Sequence, residues 1–220
     1  MPFSPDEIRQ LPDVISAPRF ATYLRVCDDN PASALALYQW NLEISAAFIV
    51  PIQICEVAVR NGVVYAIEAV HGADWPWSNG FIRSLPRPKA SWHYDPQDDL
   101  RKVASRAASP GKVVAELKFA FWEKLFTRGQ DIRLWEHHFR DAFPGAPQTL
   151  PVEFTRGRAF ANLQAIRRFR NRIAHHEPIF ARDLVVDHQR LREMIEWRNP
   201  AAALWLDRME KVSALLACKP

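Results

Sequence analysis

Cysteine is scarce in this chain: 220 residues hold three, Cys27, Cys55 and Cys218. An odd number so widely scattered supports neither a disulfide framework nor the paired spacing of a zinc site, and it suits a reducing, cytoplasmic setting. Long apolar runs are missing as well. The greasiest window, residues 46–55, is broken by Pro51 and Gln53 and bounded by Glu43 and Glu56. It is short of the roughly 20 residues a membrane-spanning helix needs, so a soluble protein with no membrane partner is expected. The stretch from Met1 to Glu7 has no basic segment leading into an apolar one, and it does not read as a secretion signal. Internal repeats and low-complexity tracts are absent. A net charge of +4 is too small by itself to imply a polyanionic partner.

What is present is an ordinary globular composition, 48% apolar and 25% charged. That is enough for the core of one domain over residues 1–220 and too apolar for a disordered chain. β-Branched residues rarely alternate with polar ones, whereas apolar residues recur every three or four positions, so the expected fold is all-α. After a proline-punctuated start, a short helix is expected over 19–27, and Asn30 reads as a cap before a long helical stretch over 32–70. Pro51 is expected to kink that stretch or to open a new helix within it. Beyond it Ile52, Cys55, Val59, Val63 and Ile67 share one face, the mark of a core helix. Glu56 and Arg60, four apart beside that face, read on residue type alone as a helix ion pair.

Residues 71–96 read as an irregular connection whose tryptophans are packing anchors. A polar helix over 98–109 follows, then one opening at Pro110 with the apolar stripe Val114, Leu117, Phe121 and Leu125. In a helix over 131–143, His137 and His138 read as surface or packing histidines, not metal ligands. The last three helices are expected over 154–175, 184–197 and 201–217.

One stretch without acid stands apart. From Phe154 to His176 there are six arginines, at 156, 158, 167, 168, 170 and 172, and no Asp or Glu. Arg167 and Arg168 lie in this basic field as candidate RNA contacts. Phe160, Leu163, Ile166 and Ile173 trace an apolar face of the helix, and Arg170 falls on the same sector. A guanidinium there calls for a carboxylate, a neighbouring helix or subunit, or an open cleft. Pro178 biases Glu177 away from helical geometry, which places His175 and His176 in the last turn.

Two readings are open at that point. Histidines in a last turn stabilise the helix dipole by ~0.3–1 kcal/mol, and surface arginines merely solvate the helix. Alternatively, the run from Arg170 to Glu177 is a functional centre. Breaking RNA without a metal requires a group that accepts the 2′-hydroxyl proton, one that protonates the leaving 5′-oxygen, and fixed positive charge at the phosphorane oxygens. Histidine suits the first two tasks because its unperturbed pKa of about 6.5 lies near neutrality, and the planar fork of arginine suits the third. Arg170 and His175 are roughly 140° apart around an ideal helix. Either the last turn unwinds or the same residues of a second chain complete the site across a two-fold axis.

Arg170-Asn171 followed by three residues and His175 resembles the R-x4-6-H signature of the HEPN superfamily. The longer run from Phe169 to Ile179 is similar in particular to its Abi-like branch, named for abortive phage infection. Tyr38-Gln39-Trp40-Asn41, the run from Glu56 to Asn61, the run from Val114 to Trp122, and Leu134-Trp135 agree in the same order. The likeness therefore covers about residues 19–198. It implies a HEPN-like helical bundle with added terminal helices, usually a homodimer in which two signatures face each other. In active members it implies RNA cleavage with no metal and no cofactor. By that resemblance Arg170 and His175 would be catalytic, Asn171 would orient them, and His176, Glu177, Arg172, Glu56, Arg60 and Asn61 would support the cleft. His176 also satisfies the spacing, with His175 preferred. The biology implied is a toxin or phage-defence effector restrained by an antitoxin protein or a regulatory RNA. A non-catalytic RNA-binding or dimerisation module and a purely structural helical protein are the alternatives.

Overall fold

The computed structural model describes residues 3–88, 90 and 93–220. Helix takes up 74% of the chain and no strand forms among the described residues, as the spacing of apolar residues predicts. α1 (Pro5–Ile15) arises inside the proline-punctuated start, ahead of the short helix expected over 19–27. Ser4 accepts from the Glu7 amide and Glu7 accepts from the Ser4 amide, a reciprocal cap, and Pro5 occupies the first turn, where a missing N–H costs nothing. α2 (Ala17–Leu24) stops short of the expected end, and Asp28 and Asp29 turn the chain with φ of 50° and 55°. Asn30 then caps the next helix as expected, accepting from the Ser33 amide at 3.0 Å.

That next helix, α3 (Pro31–His71), is the axis of the molecule. It runs for 41 residues through Pro51, so no new helix opens there. An interior proline costs about 3 kcal/mol, but Pro51 is itself buried, as are Phe48, Ile52 and Cys55, in a helix that buries fifteen residues along its length. Tertiary packing of that order outweighs a local penalty. Because Pro51 does not end the helix, the apolar window is longer than the sequence suggests. An 18-residue stretch of α3 has mean hydropathy 1.8, and by length and composition alone the helix is long and apolar enough to cross a membrane, a test that the core helix of a globular protein also passes.

The connection after α3 is more ordered than expected: Trp75–Trp77 form a 3-10 turn and α4 (Asn79–Ser84) follows. Trp75 is fully buried, a packing anchor as expected, whereas Trp77 is 42% exposed and is tied by its Nε1, which donates to the Ala104 carbonyl at 3.0 Å; Trp92 lies outside the described residues. α5 (Pro96–Ala104) is capped by Asp95. The helix expected from Pro110 divides into α6 (Pro110–Glu116) and α7 (Phe119–Lys124), because Leu117 and Lys118 are extended. Leu117, Phe121 and Leu125 are buried, and Val113 takes the innermost place in the stripe instead of Val114. A π-helical turn over Asp131–Trp135 leads into α8 (Glu136–Ala142). α9 (Val152–Ala174) and α10 (Leu184–Arg198) pack on α3 and on each other. The expected final helix divides at the extended Glu210 into α11 (Pro200–Met209) and α12 (Val212–Leu216).

The link between α8 and α9 crosses the end of α10 at Gly145, whose N–H donates to the Trp197 carbonyl at 2.9 Å. A Cβ at that position would run into the Glu196 carbonyl oxygen and lie 3.1 Å from its carbon and 3.2 Å from Pro200 Cγ. Backbone atoms cannot swing aside as a side-chain tip can. Gly145→Ala is expected to cost roughly 1–3 kcal/mol, read as a lower urea midpoint at unchanged m-value. Gly111→Ala, where an added Cβ meets nothing within 4 Å, should not lower the midpoint.

At the corner of α10, α11 and α12, His188 lies edge-on to Phe48 and 3.9 Å from Glu210. Desolvation lowers its pKa from 6.5, and a nearby Arg192 adds to that, against the opposing pull of Glu210 and Asp207. The folded state therefore favours the neutral imidazole. Its contribution to stability is complete above the unfolded-state pKa of about 6.5 and is lost as pH falls below it. His188→Gln should flatten the decline in melting temperature between about pH 7 and pH 5. A decline as steep as wild type would show that other groups set it.

Candidate functional site

The site grows from the last two turns of α9. Ala159, Leu163, Ile166, Phe169 and Ile173 turn inward, and Phe169 meets Phe48 of α3 edge-to-face at 4.7 Å between ring centres. Arg170 follows Phe169 at the rim of that contact. It is 46% exposed, and its Nε stands 3.3 Å from Glu56 Oε1 on α3. Glu56 also receives Arg60 Nη2 at 3.0 Å. The carboxylate that Arg170 calls for is thus Glu56, and the helix ion pair read from residue type is one arm of an Arg60–Glu56–Arg170 bridge between α3 and α9. Glu56 and Arg60 are only 13% and 20% exposed. Buried polar atoms seldom lack partners, yet among the described residues Glu56 Oε1 and Arg60 Nε make no hydrogen bond, nor does Arg172 Nε two residues beyond Arg170.

α9 stays helical through Ala174, and the His175 amide still donates to the Asn171 carbonyl at 2.9 Å. Unwinding before His175 is therefore excluded as a way to bring it beside Arg170. The turn comes one residue later: His176 has φ of 57°, its N–H donates to the Ile173 carbonyl at 3.0 Å, and the Glu177 N–H donates to the Arg172 carbonyl at 2.8 Å. These two bonds close a helix end of the Schellman type, in which a left-handed residue satisfies the last carbonyls. His176 accordingly lies beyond the helix and does not share a face with Arg172, contrary to the last-turn placement expected from Pro178. Arg172 instead reaches forward, donating from Nη2 to the Pro178 carbonyl at 2.8 Å and pairing with Glu177 at 3.0 Å. His175, His176 and Glu177 are exposed, and Asn171 is half-buried.

Beyond this turn the chain is pinned. Asn41, 4% exposed on α3, accepts from the Ile179 and Phe180 amides at 2.8 and 3.1 Å through the same Oδ1. Lys219 donates to the Phe180 carbonyl at 2.9 Å. Arg182 grips the buried Asp187 with two bonds of 2.8 and 2.9 Å while its guanidinium lies over the Phe169 ring. Sequence reasoning assigned none of these residues to the site. For Asn41 a signal existed: it sits within the otherwise apolar face formed by Leu37, Trp40, Ile44 and Phe48, where an amide must find a buried partner.

The basic field predicted over 154–176 is largely neutralised by carboxylates from elsewhere. Arg156 binds Asp131 at 2.6 and 2.8 Å, Arg158 pairs with Glu193, Arg167 with the buried Glu123, Arg170 with Glu56 and Arg172 with Glu177. Arg168 is exposed and is the one of the six with no ion pair among the described residues. Of the two candidate RNA contacts, Arg168 is therefore free and Arg167 is committed to the fold. Asn61 lines a groove with Gln53, Val57, Arg198 and Trp205. His137 is exposed and His138 half-buried. Among the described residues no group of three or more His, Cys, Asp or Glu could hold a metal ion.

Comparison with protein-family models, with curated proteins and with solved structures finds no match.

Proposed function

We propose that this protein is a homodimeric endoribonuclease of the HEPN type, in which each cleavage site takes Arg170 from one copy and His175 from the other. The observation that carries this reading is Arg170 itself: a half-exposed guanidinium braced through Nε by a mostly buried carboxylate. So held, its outer edge is left to receive a phosphate in two places. His175, exposed at the end of the same helix, accepts the 2′-hydroxyl proton. The 2′-oxygen bonds to phosphorus as the bond to the 5′-oxygen breaks, and the adjacent His176 supplies a second imidazole able to protonate the leaving oxygen. Asn171 orients the pair, Arg172 and Glu177 hold the turn, Glu56 and Arg60 hold Arg170, and Arg168 and its neighbours draw in the RNA strand.

Because α9 remains helical between Arg170 and His175, the roughly 140° between them favours completion by a second copy. The resemblance in the Phe169–Ile179 run further supports a cytoplasmic toxin or phage-defence effector, with an antitoxin protein or regulatory RNA as its restraint. The deciding experiment is incubation of the purified protein with single-stranded RNA in EDTA. No cleavage by wild type at any pH from 5 to 9 would remove the reading.

One observation favours a second reading. His176 is occupied as a helix terminator and five of the six arginines are paired, which suits a non-catalytic RNA-binding or dimerisation module. In that case RNA affinity survives His175→Ala, falls with Arg168→Ala, and weakens steeply with salt. No RNA binding at all leaves a structural helical protein.

A further inference from the structure

We infer that Asn41 is a positioning residue for the His175–Glu177 turn, an inference that rests on the ribonuclease reading and adds to it a residue 134 positions upstream of His175. The turn is exposed and has no packing of its own: His175, His176 and Glu177 face solvent and His176 holds a left-handed backbone. What fixes it lies on either side. On the near side are the two backbone bonds that close α9. On the far side the chain leaves the turn through Pro178 and enters the core at Ile179, which is fully buried. There Asn41 Oδ1 takes both available amides, Ile179 at 2.8 Å and Phe180 at 3.1 Å.

A single oxygen on the rigid central helix thus sets where the chain re-enters the core. The same helix carries Glu56, which sets the position of Arg170. α3 is therefore the common frame for both groups: Glu56 registers the arginine and Asn41 registers the imidazoles. Arg172 joins the two ends by bonding the Pro178 carbonyl and Glu177. Both bonds at Asn41 fall on its oxygen, so an aspartate preserves them and an isosteric leucine removes them while leaving two N–H groups buried and unpaired.

In the full-length protein, Asn41→Leu should lower kcat for cleavage of a single-stranded RNA by on the order of 10²-fold, as for a reacting group displaced by about an ångström. KM should stay within about two-fold, because the arginines that bind the strand are untouched. Asn41→Asp should restore kcat to within about three-fold of wild type. If the leucine variant does not fold, Asn41→Ser, which leaves room for a water to bridge to the two amides, is measured in the same way. A wild-type kcat in the leucine or serine variant, with Ile179 and Phe180 amide protection lost, would overturn the inference. So would an aspartate variant as slow as the leucine one despite retained protection. Imidazole NMR separates this inference from the ribonuclease reading: should wild type cut no RNA, changed His175 and His176 resonances in the leucine or serine variant would still uphold positioning. Unchanged resonances would overturn it.

Discussion

Arg170→Ala and His175→Ala should each lower cleavage of single-stranded RNA by about 10²-fold or more while leaving the helical circular dichroism of the protein unchanged. The separation of rate from fold follows from where the two side chains sit. His175 is exposed and its ring makes no hydrogen bond or ion pair among the described residues, so its removal takes away a proton acceptor and little else. Arg170 is 46% exposed and shares Glu56 with Arg60, which remains at 3.0 Å to hold the carboxylate. With Arg60 still paired to the mostly buried Glu56, no uncompensated charge is left behind, so the cost stays below the roughly 3–5 kcal/mol of a buried pair broken outright. A fixed charge at the developing phosphorane oxygens is worth about 10²–10³ in rate, and a positioned acid or base about 10²–10⁴. Arg170→Lys should recover only part of the loss, because an ammonium is a point charge and cannot hold two oxygens in one plane. His176→Gly tests whether the second imidazole takes part. Glycine accepts the left-handed φ of 57° without a Cβ penalty, so the cap survives while the ring is lost. A loss comparable to that of His175→Ala supports His176 as the acid that protonates the 5′-oxygen, and a near-normal rate leaves His175 as the one imidazole that cleavage needs. Wild-type rates in both alanine variants would sink the catalytic assignment.

Local signals were legible in the sequence and distant ones were not. The all-α class, the Asn30 cap, the core face of α3 beyond Pro51 and the extent of α9 follow from periodicity and capping, which depend on neighbours within a few residues. Two of the misreadings share one cause. Pro51 breaks an isolated helix, but packing around Phe48, Ile52 and Cys55 carries α3 across it. The arginines of α9 read as a field because their partners lie outside the window: Glu123 is 44 residues from Arg167, and Asp131 is 25 from Arg156. A run of one charge sign is an electrostatic patch only if the fold brings no opposite charge to it, and here it brings five carboxylates. The turn at His176 was hidden for a different reason. Pro178 correctly ends the helix, but the residue that takes up the left-handed conformation is set by the bonds closing α9, with no glycine to mark the place.

Mixing the two inactive variants should restore activity, and the amount is fixed by the shared-site geometry. When Arg170→Ala and His175→Ala proteins are combined in equal amounts and allowed to exchange, about half of the dimers contain one copy of each. In such a dimer one site receives both substitutions. The other combines the intact Arg170 of one copy with the intact His175 of its partner. One working site in half of the dimers gives about a quarter of wild-type activity, recovered from two proteins that are each nearly inert. A site contained within one chain would recover nothing, because neither copy keeps both groups. A single cleft requiring both arginines and both histidines would also recover nothing. The expected result follows from α9 itself: its hydrogen bonding persists through the His175 amide, which keeps Arg170 and His175 on different sides of one helix, so that each requires its complement from a second copy.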